Sequence, residues 1–209
     1  MTESNAKKDP RYRNRVLEGN SVTEYYSDYQ RSLQAALKSV DTAVLEKVFD
    51  LFKKTMLSGH HVLAAGNGGS AAITDHLCCD FTKGTHLAGK AALKSRSLVS
   101  NTPVLTAFAN DFGYENSISA QIEMLASKGD VLLVISSSGN SPNVVNAIHA
   151  ARQHGLSTIG MTGFSGGEIR KHADHCLHVD FPNYGIVEDC HQILMHTLSQ
   201  YLIKIRETI

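Results

Sequence analysis

Short apolar runs alternate with segments of helical period along most of the chain, and that alternation limits the fold more than any other feature. Strand-like runs fall at residues 61–65, 96–100, 131–136, 158–162 and 176–179. Helical patterns fall between and after them, at 70–82, 103–110, 115–127, 141–154, 167–172 and about 187–206. Strands joined through helices pair in parallel and need cover on both faces. Val131-Leu132-Leu133-Val134-Ile135 is a continuous apolar run, as a strand buried on both sides should be. The expected fold is α/β, a doubly wound five-stranded parallel sheet. Apolar positions Tyr26, Tyr29, Leu33, Leu37, Val44, Val48, Leu51 and Phe52 recur at three- and four-residue steps. They predict an N-terminal helical extension, broken near residues 39–42. It serves either as packing over the sheet or as an oligomer interface.

No linker or internal repeat divides the 209 residues. A single domain over 21–209 is expected, with 1–20 as a flexible, polar N-terminal tail. Lys plus Arg and Asp plus Glu both number 20, so the basic footprint of a nucleic-acid binder is missing. No apolar stretch is long enough to span a bilayer, and the first residues lack the apolar centre of a secretion signal. Cys78, Cys79, Cys176 and Cys190 have no CxxC spacing and read as reduced packing residues in a cytoplasmic protein.

Two loops carry the chemistry. The run at 61–65 breaks into Gly66-Asn67-Gly68-Gly69-Ser70 just before a helix, and Ile135 leads into Ser136-Ser137-Ser138-Gly139-Asn140-Ser141-Pro142 before another. A strand, a Gly- or Ser-rich turn and a helix N-terminus make an anion cradle of backbone N–H groups and hydroxyls. Pro142 suits the first helical position. Both loops would lie at the carboxyl ends of their strands, where open α/β sheets bind ligands. Ser141 could also be no more than a helix cap. His76 and Asp80, four residues apart, share one helix face.

These two loops, together with Asn110-Asp111-Phe112-Gly113, resemble the sugar isomerase (SIS) domain family from about Asp28 to the C-terminus, and most closely the sedoheptulose-7-phosphate isomerases. The resemblance implies a homotetramer that isomerises a seven-carbon sugar phosphate for surface-glycan synthesis, without a nucleotide cofactor, nucleic acid or membrane. Phosphate would lie on Ser136, Ser138 and Ser141, with Ser137 in the same loop. Asn67, Gly68, Gly69, Ser70, Asn110 and Asp111 would line the sugar site. His76, Asp80, Glu188 and His196 match a quartet that holds zinc in several members, with Glu188 also facing substrate. Asp80 takes the position of the family's base and His196 that of its general acid.

The match has departures. Asp80 stands where the family has Glu, one methylene longer, and Glu188 where it has Gln. Ile186 and Val187 replace an Asp-Arg pair. Glu188 and His196 would be about 12 Å apart along a straight helix, at ~1.5 Å per residue. They converge only if both side chains lean inward or Glu188 precedes the helix; Gln192 and His191 are the nearby substitutes. Two rival readings remain, an isomerase for another sugar phosphate and a non-catalytic SIS protein that binds the bacterial replication initiator. The second lacks the His of the C-terminal helix and carries a basic residue in the serine loop. This chain has His196 and a neutral loop.

Overall fold

The computed structural model describes residues 15–208. Five parallel strands, β1 (His61–Gly66), β2 (Lys94–Ser97), β3 (Val131–Ser136), β4 (Ser157–Thr162) and β5 (His175–His178), form one sheet in the order β2-β1-β3-β4-β5. The chain leaves β1 for β2 on one side and returns to β3 on the other, so the order reverses between β1 and β3. Such a reversal opens a crevice at the carboxyl ends of the two strands. Both loops that the sequence marks as candidate anion cradles lie at that point.

Alternation along the strands gives two cores, because successive side chains point to opposite faces. Val62, Ala64, Val131, Leu133 and Ile135 pack with α2 (Thr42–Ser58), α3 (Gly69–Cys79) and α8 (Tyr184–Ile205). Leu63, Ala65, Leu132 and Val134 pack with α5 (Ser119–Leu125), α6 (Pro142–Gln153) and α7 (Gly167–His172). All six residues of β3 are buried, as its apolar run requires. Helix α1 (Val22–Lys38), capped by the Ser21 hydroxyl, lies along α8 and buries only Ser32 and Ala36. Its Tyr29 hydroxyl donates to Asp189 at 2.7 Å. The extension does cover the sheet, through α2, while Val22, Tyr25 and Tyr26 of α1 remain exposed.

Four boundaries differ from expectation. The edge strand runs Lys94–Ser97, earlier than 96–100, because Ser97 and Val99 end it in a side-chain turn. The single helix expected at 115–127 is a 3-10 turn, Tyr114–Asn116, followed by α5. The last helix starts at Tyr184, where Asn183 caps Ile186 N at 3.0 Å. Residues 15–20 are not a loose tail: Leu17 is buried in the first core, and Asn183 holds the Arg15 carbonyl. The remainder of that expected tail lies outside the described residues. Helix α4 (Thr102–Phe112), though apolar, buries none of its residues. Among the cysteines only Cys190 is fully buried and Cys79 is exposed, so packing does not describe the whole set.

Candidate active site

The serine loop after β3 is held rigid by its neighbours. Gly139 has φ +67°, and a Cβ there would stand 2.0 Å from the Gly166 carbonyl oxygen. Its own carbonyl accepts from Ile169 N, and Asn140 Oδ1 accepts from Glu168 N, so α7 clamps the turn. Ser141 occupies the cap position of α6, yet its hydroxyl makes no capping bond and lies 3.4 Å from Ser136 Oγ. The hydroxyl is therefore available to a ligand, which a cap alone would not leave it. Ser138 Oγ accepts from Asn140 N at 3.3 Å. Ser136, Ser137, Ser138 and Ser141 line a cavity of about 280 Å³, together with Asn67 and Ser70 of the first loop and with Tyr184 and Glu188 of α8. Among the described residues, neither Lys nor Arg lines it. An anion held here rests on hydroxyls and on N–H groups at helix starts.

Gly69 opens α3 with its bare Cα against Glu188. A Cβ there would lie 2.8 Å from Glu188 Oε2. The Glu188 carboxyl is half-buried in the cavity wall, and its pKa is raised, first by burial and then by the negative Asp189 next to it. Among the described residues it is the only carboxylate that lines the cavity.

The second pole lies further along the same two helices. Here α3 gives way at Asp80 to a π-helical turn, Asp80–Gly84, in place of the α-helix expected through residue 82. Phe81 is fully buried against Phe52, with ring centroids 5.0 Å apart. Such wide turns recur at functional sites. Asp80 is turned between two imidazoles, with Oδ1 3.7 Å from His76 Nε2 and Oδ2 3.7 Å from His196 Nε2. The two rings meet edge to face, with centroids 5.0 Å apart. Ligand atoms of all three residues lie within 4.8 Å of one another. At 3.7 Å these pairs are too long for hydrogen bonds, but suit ligands on either side of one ion at about 2.0–2.1 Å. Two imidazoles and a carboxylate are a donor set that fits zinc.

Glu188 does not belong to this trio. It lies within α8, and its carboxyl is turned toward Gly69 and the serine cavity. Gln192, one helical turn on, takes the expected place instead: its Nε2 is 2.9 Å from His76 Nδ1 and 3.4 Å from His196 Nε2. Its spacing of four from both Glu188 and His196 is the signal that marks it. His191 faces the core, fully enclosed. Asn110 and Asp111 are exposed on α4, bonded to each other at 3.0 Å, and do not line the cavity. Asn140 and Tyr184, which do, carry no sequence signal of their own beyond their place beside a loop and at a helix start.

The SIS domain family profile matches residues 24–163. A phosphoheptose isomerase from Aliarcobacter butzleri is 34% identical over 183 residues, which cover 88% of this chain and 96% of that protein. Another from Nitratidesulfovibrio vulgaris strain Hildenborough is 40% identical over 144 residues, 69% of each chain. The structure of a phosphoheptose isomerase from Neisseria gonorrhoeae superposes with a TM-score of 0.79 at 30% identity, over 90% of this chain and 97% of that one.

Proposed function

The chain belongs to the SIS domain family and, within it, to the phosphoheptose isomerases, aldose–ketose isomerases by class, and on that premise we propose how its two poles share one substrate. The substrate is sedoheptulose 7-phosphate and the product D-glycero-D-manno-heptose 7-phosphate, used for surface glycans. The observation that carries this reading is a hydroxyl-rich cavity, with no lysine or arginine among its described lining residues, and a His-Asp-His trio, both bordered by α3 and α8.

The 7-phosphate rests on Ser136, Ser138 and Ser141, and the cavity hands the carbon chain along α8 toward Asp80. Isomerisation moves a proton from C1 to C2. Asp80 takes the C1 proton, the C1–H pair becomes the C1–C2 double bond, and the C2 carbonyl oxygen gains the charge. His196 protonates that oxygen. Loss of the O1 proton and return of a proton to C2 then complete the aldose. The trio, with Gln192 beside it, would hold a zinc ion, which supplies charge stabilisation for the two sugar oxygens when bound. Asp80 is one methylene shorter than a Glu, and the wide turn that begins at Asp80 brings its carboxylate between the imidazoles. We further assign a homotetramer and a cytoplasmic setting. The apolar, uncovered α4 and the exposed tyrosines of α1 support the first. No helix of the described residues is long and apolar enough to cross a membrane.

A product assay over a panel of ketose phosphates, with and without added zinc, tests the reading. Wild type converts the seven-carbon ketose, and Asp80→Ala loses at least 100-fold in kcat. A folded protein that turns over no seven-carbon substrate contradicts it. Turnover of a shorter ketose phosphate alone would move the substrate and keep the chemistry.

A further inference from the structure

Asn67, at the end of β1, is one of the few amide groups on the cavity wall, and its hydrogen-bonding capacity is almost fully taken up inside the chain. Its Nδ2 donates to Asn143 Oδ1 at 2.9 Å, and Asn143 Nδ2 donates back to Asn67 Oδ1 at 2.9 Å. The Tyr114 hydroxyl donates to the same Oδ1 at 2.8 Å. A carboxamide oxygen accepts two hydrogen bonds and its nitrogen donates two. Both acceptor positions of Asn67 are therefore occupied. One N–H remains without a partner among the described residues, on a side chain that lines the cavity.

The two partners are themselves held. Asn143 is buried in the first turn of α6. Tyr114 sits in the 3-10 turn, whose carbonyl at Tyr114 accepts from Ser117 Oγ at 2.8 Å. Asn146, one turn after Asn143, donates to the Glu115 carbonyl at 3.0 Å and to Asn116 Oδ1 at 3.2 Å. Three separate segments, the β1 loop, the 114–116 turn and the start of α6, thus meet on one carboxamide.

We infer that Asn143 and Tyr114 are positioning residues, which lock the Asn67 carboxamide so that it offers the ligand one N–H and no acceptor. The inference rests on the isomerase reading for the identity of the ligand. A free carboxamide can turn over and meet either a hydroxyl hydrogen or an oxygen. The serine hydroxyls around it also serve either way. The Asn67 carboxamide is committed by its two partners, and it selects an acceptor oxygen of the sugar phosphate, held alike in ground and transition states. Interactions of that kind show in KM and leave kcat nearly unchanged.

The test combines kinetics and side-chain NMR on the full chain. Asn143→Asp keeps size and suits a helix's first turn, but sets a carboxylate oxygen against Asn67 Oδ1. It should raise KM for sedoheptulose 7-phosphate about 10- to 100-fold, with kcat within about threefold and unfolding temperature near wild type. Tyr114→Phe should raise KM about three- to tenfold. Asn67→Ala combined with Asn143→Asp should be no worse than Asn67→Ala alone, because Asn143 acts only through Asn67. Additive losses, or wild-type KM in Asn143→Asp and Tyr114→Phe, would overturn the inference. The ¹⁵N carboxamide signal of Asn67 should shift when inorganic phosphate or the sugar phosphate is added to wild type, and stay still in Asn143→Asp. If wild type turns over no sugar phosphate, the isomerase reading fails while the phosphate titration still decides on Asn67. An unmoved Asn67 signal in saturated wild type overturns the inference.

Discussion

The two poles of the site are built from opposite materials. The serine end offers hydroxyls and helix-start N–H groups, has the half-buried Glu188 carboxyl in its wall and no lysine or arginine among the described lining residues, and is locked by backbone contacts such as Gly139 against Gly166. The His-Asp-His end is built from ionisable side chains on α3, the turn that follows it and α8, and is open, with the His76 side chain about half exposed at 48%. On the proposed reading, the first binds a charge that is present throughout the reaction, so a rigid set of neutral donors is enough. The second would meet charge that develops during the reaction, and it needs groups able to gain and lose protons. Substitutions at the serine end should move KM, and those at the trio should move kcat.

The largest effect that would break this division is at the trio. Asp80→Asn keeps the shape of the side chain but cannot take a proton, and kcat should fall at least 100-fold while KM stays within about threefold. A fall confined to KM would place Asp80 in binding. Gly139→Ala comes next. Its Cβ has only backbone to push against and its φ is positive, so the loop must rebuild. A loss of about 2–4 kcal/mol in urea unfolding and of phosphate affinity is expected, by the cost of strain at a left-handed position plus a steric clash. Ser141→Ala, which removes a hydroxyl that caps nothing, should raise KM about tenfold and leave stability within about 0.5 kcal/mol.

The effect furthest from the reaction lies in the wall behind the site. His191 is fully enclosed next to Thr162 and His178, and burial pushes its pKa down to about 4. A buried base that stays neutral costs stability only where the unfolded chain would protonate it. The penalty is absent above about pH 6.5, grows as pH falls, and levels off below about 4. His191→Leu should flatten stability between pH 7 and pH 5 by about 2 kcal/mol, measured by urea midpoints. An unchanged slope would show that other groups govern acid sensitivity.

The same contrast explains what could be read from residues alone. The serine end was legible because a strand, a Gly or Ser turn and a helix start are consecutive in sequence, and Pro142 marks the start. The parallel sheet, with both loops at the carboxyl ends of their strands, followed from strand–helix alternation, whereas the pairing of β1 with β3 that opens the crevice did not. The trio was half legible: His76 and Asp80 share a helix, and His196 came with the family resemblance. For the place beside them the sequence put Glu188 first and Gln192 only as a substitute, because linear spacing cannot tell which residue of α8 faces α3. The bare Gly69 draws Glu188 to the cavity and leaves Gln192 to meet His76. Asn110 and Asp111 match the family's order, yet α4 keeps them outside the cavity of their own chain. The Asn67–Asn143–Tyr114 cluster joins residues up to 76 positions apart, and no local pattern announces it.

The central claim is that one sugar phosphate spans both poles, with its phosphate on the serines and C1 and C2 at the trio. The most direct measurement is NMR of sedoheptulose 7-phosphate incubated with the protein in deuterated water. The account predicts deuterium at C1 of the recovered ketose and C2 of the aldose product, lost in Asp80→Asn and slowed only at low substrate in Ser141→Ala. Deuterium exchange and product formation that survive in Asp80→Asn would contradict it.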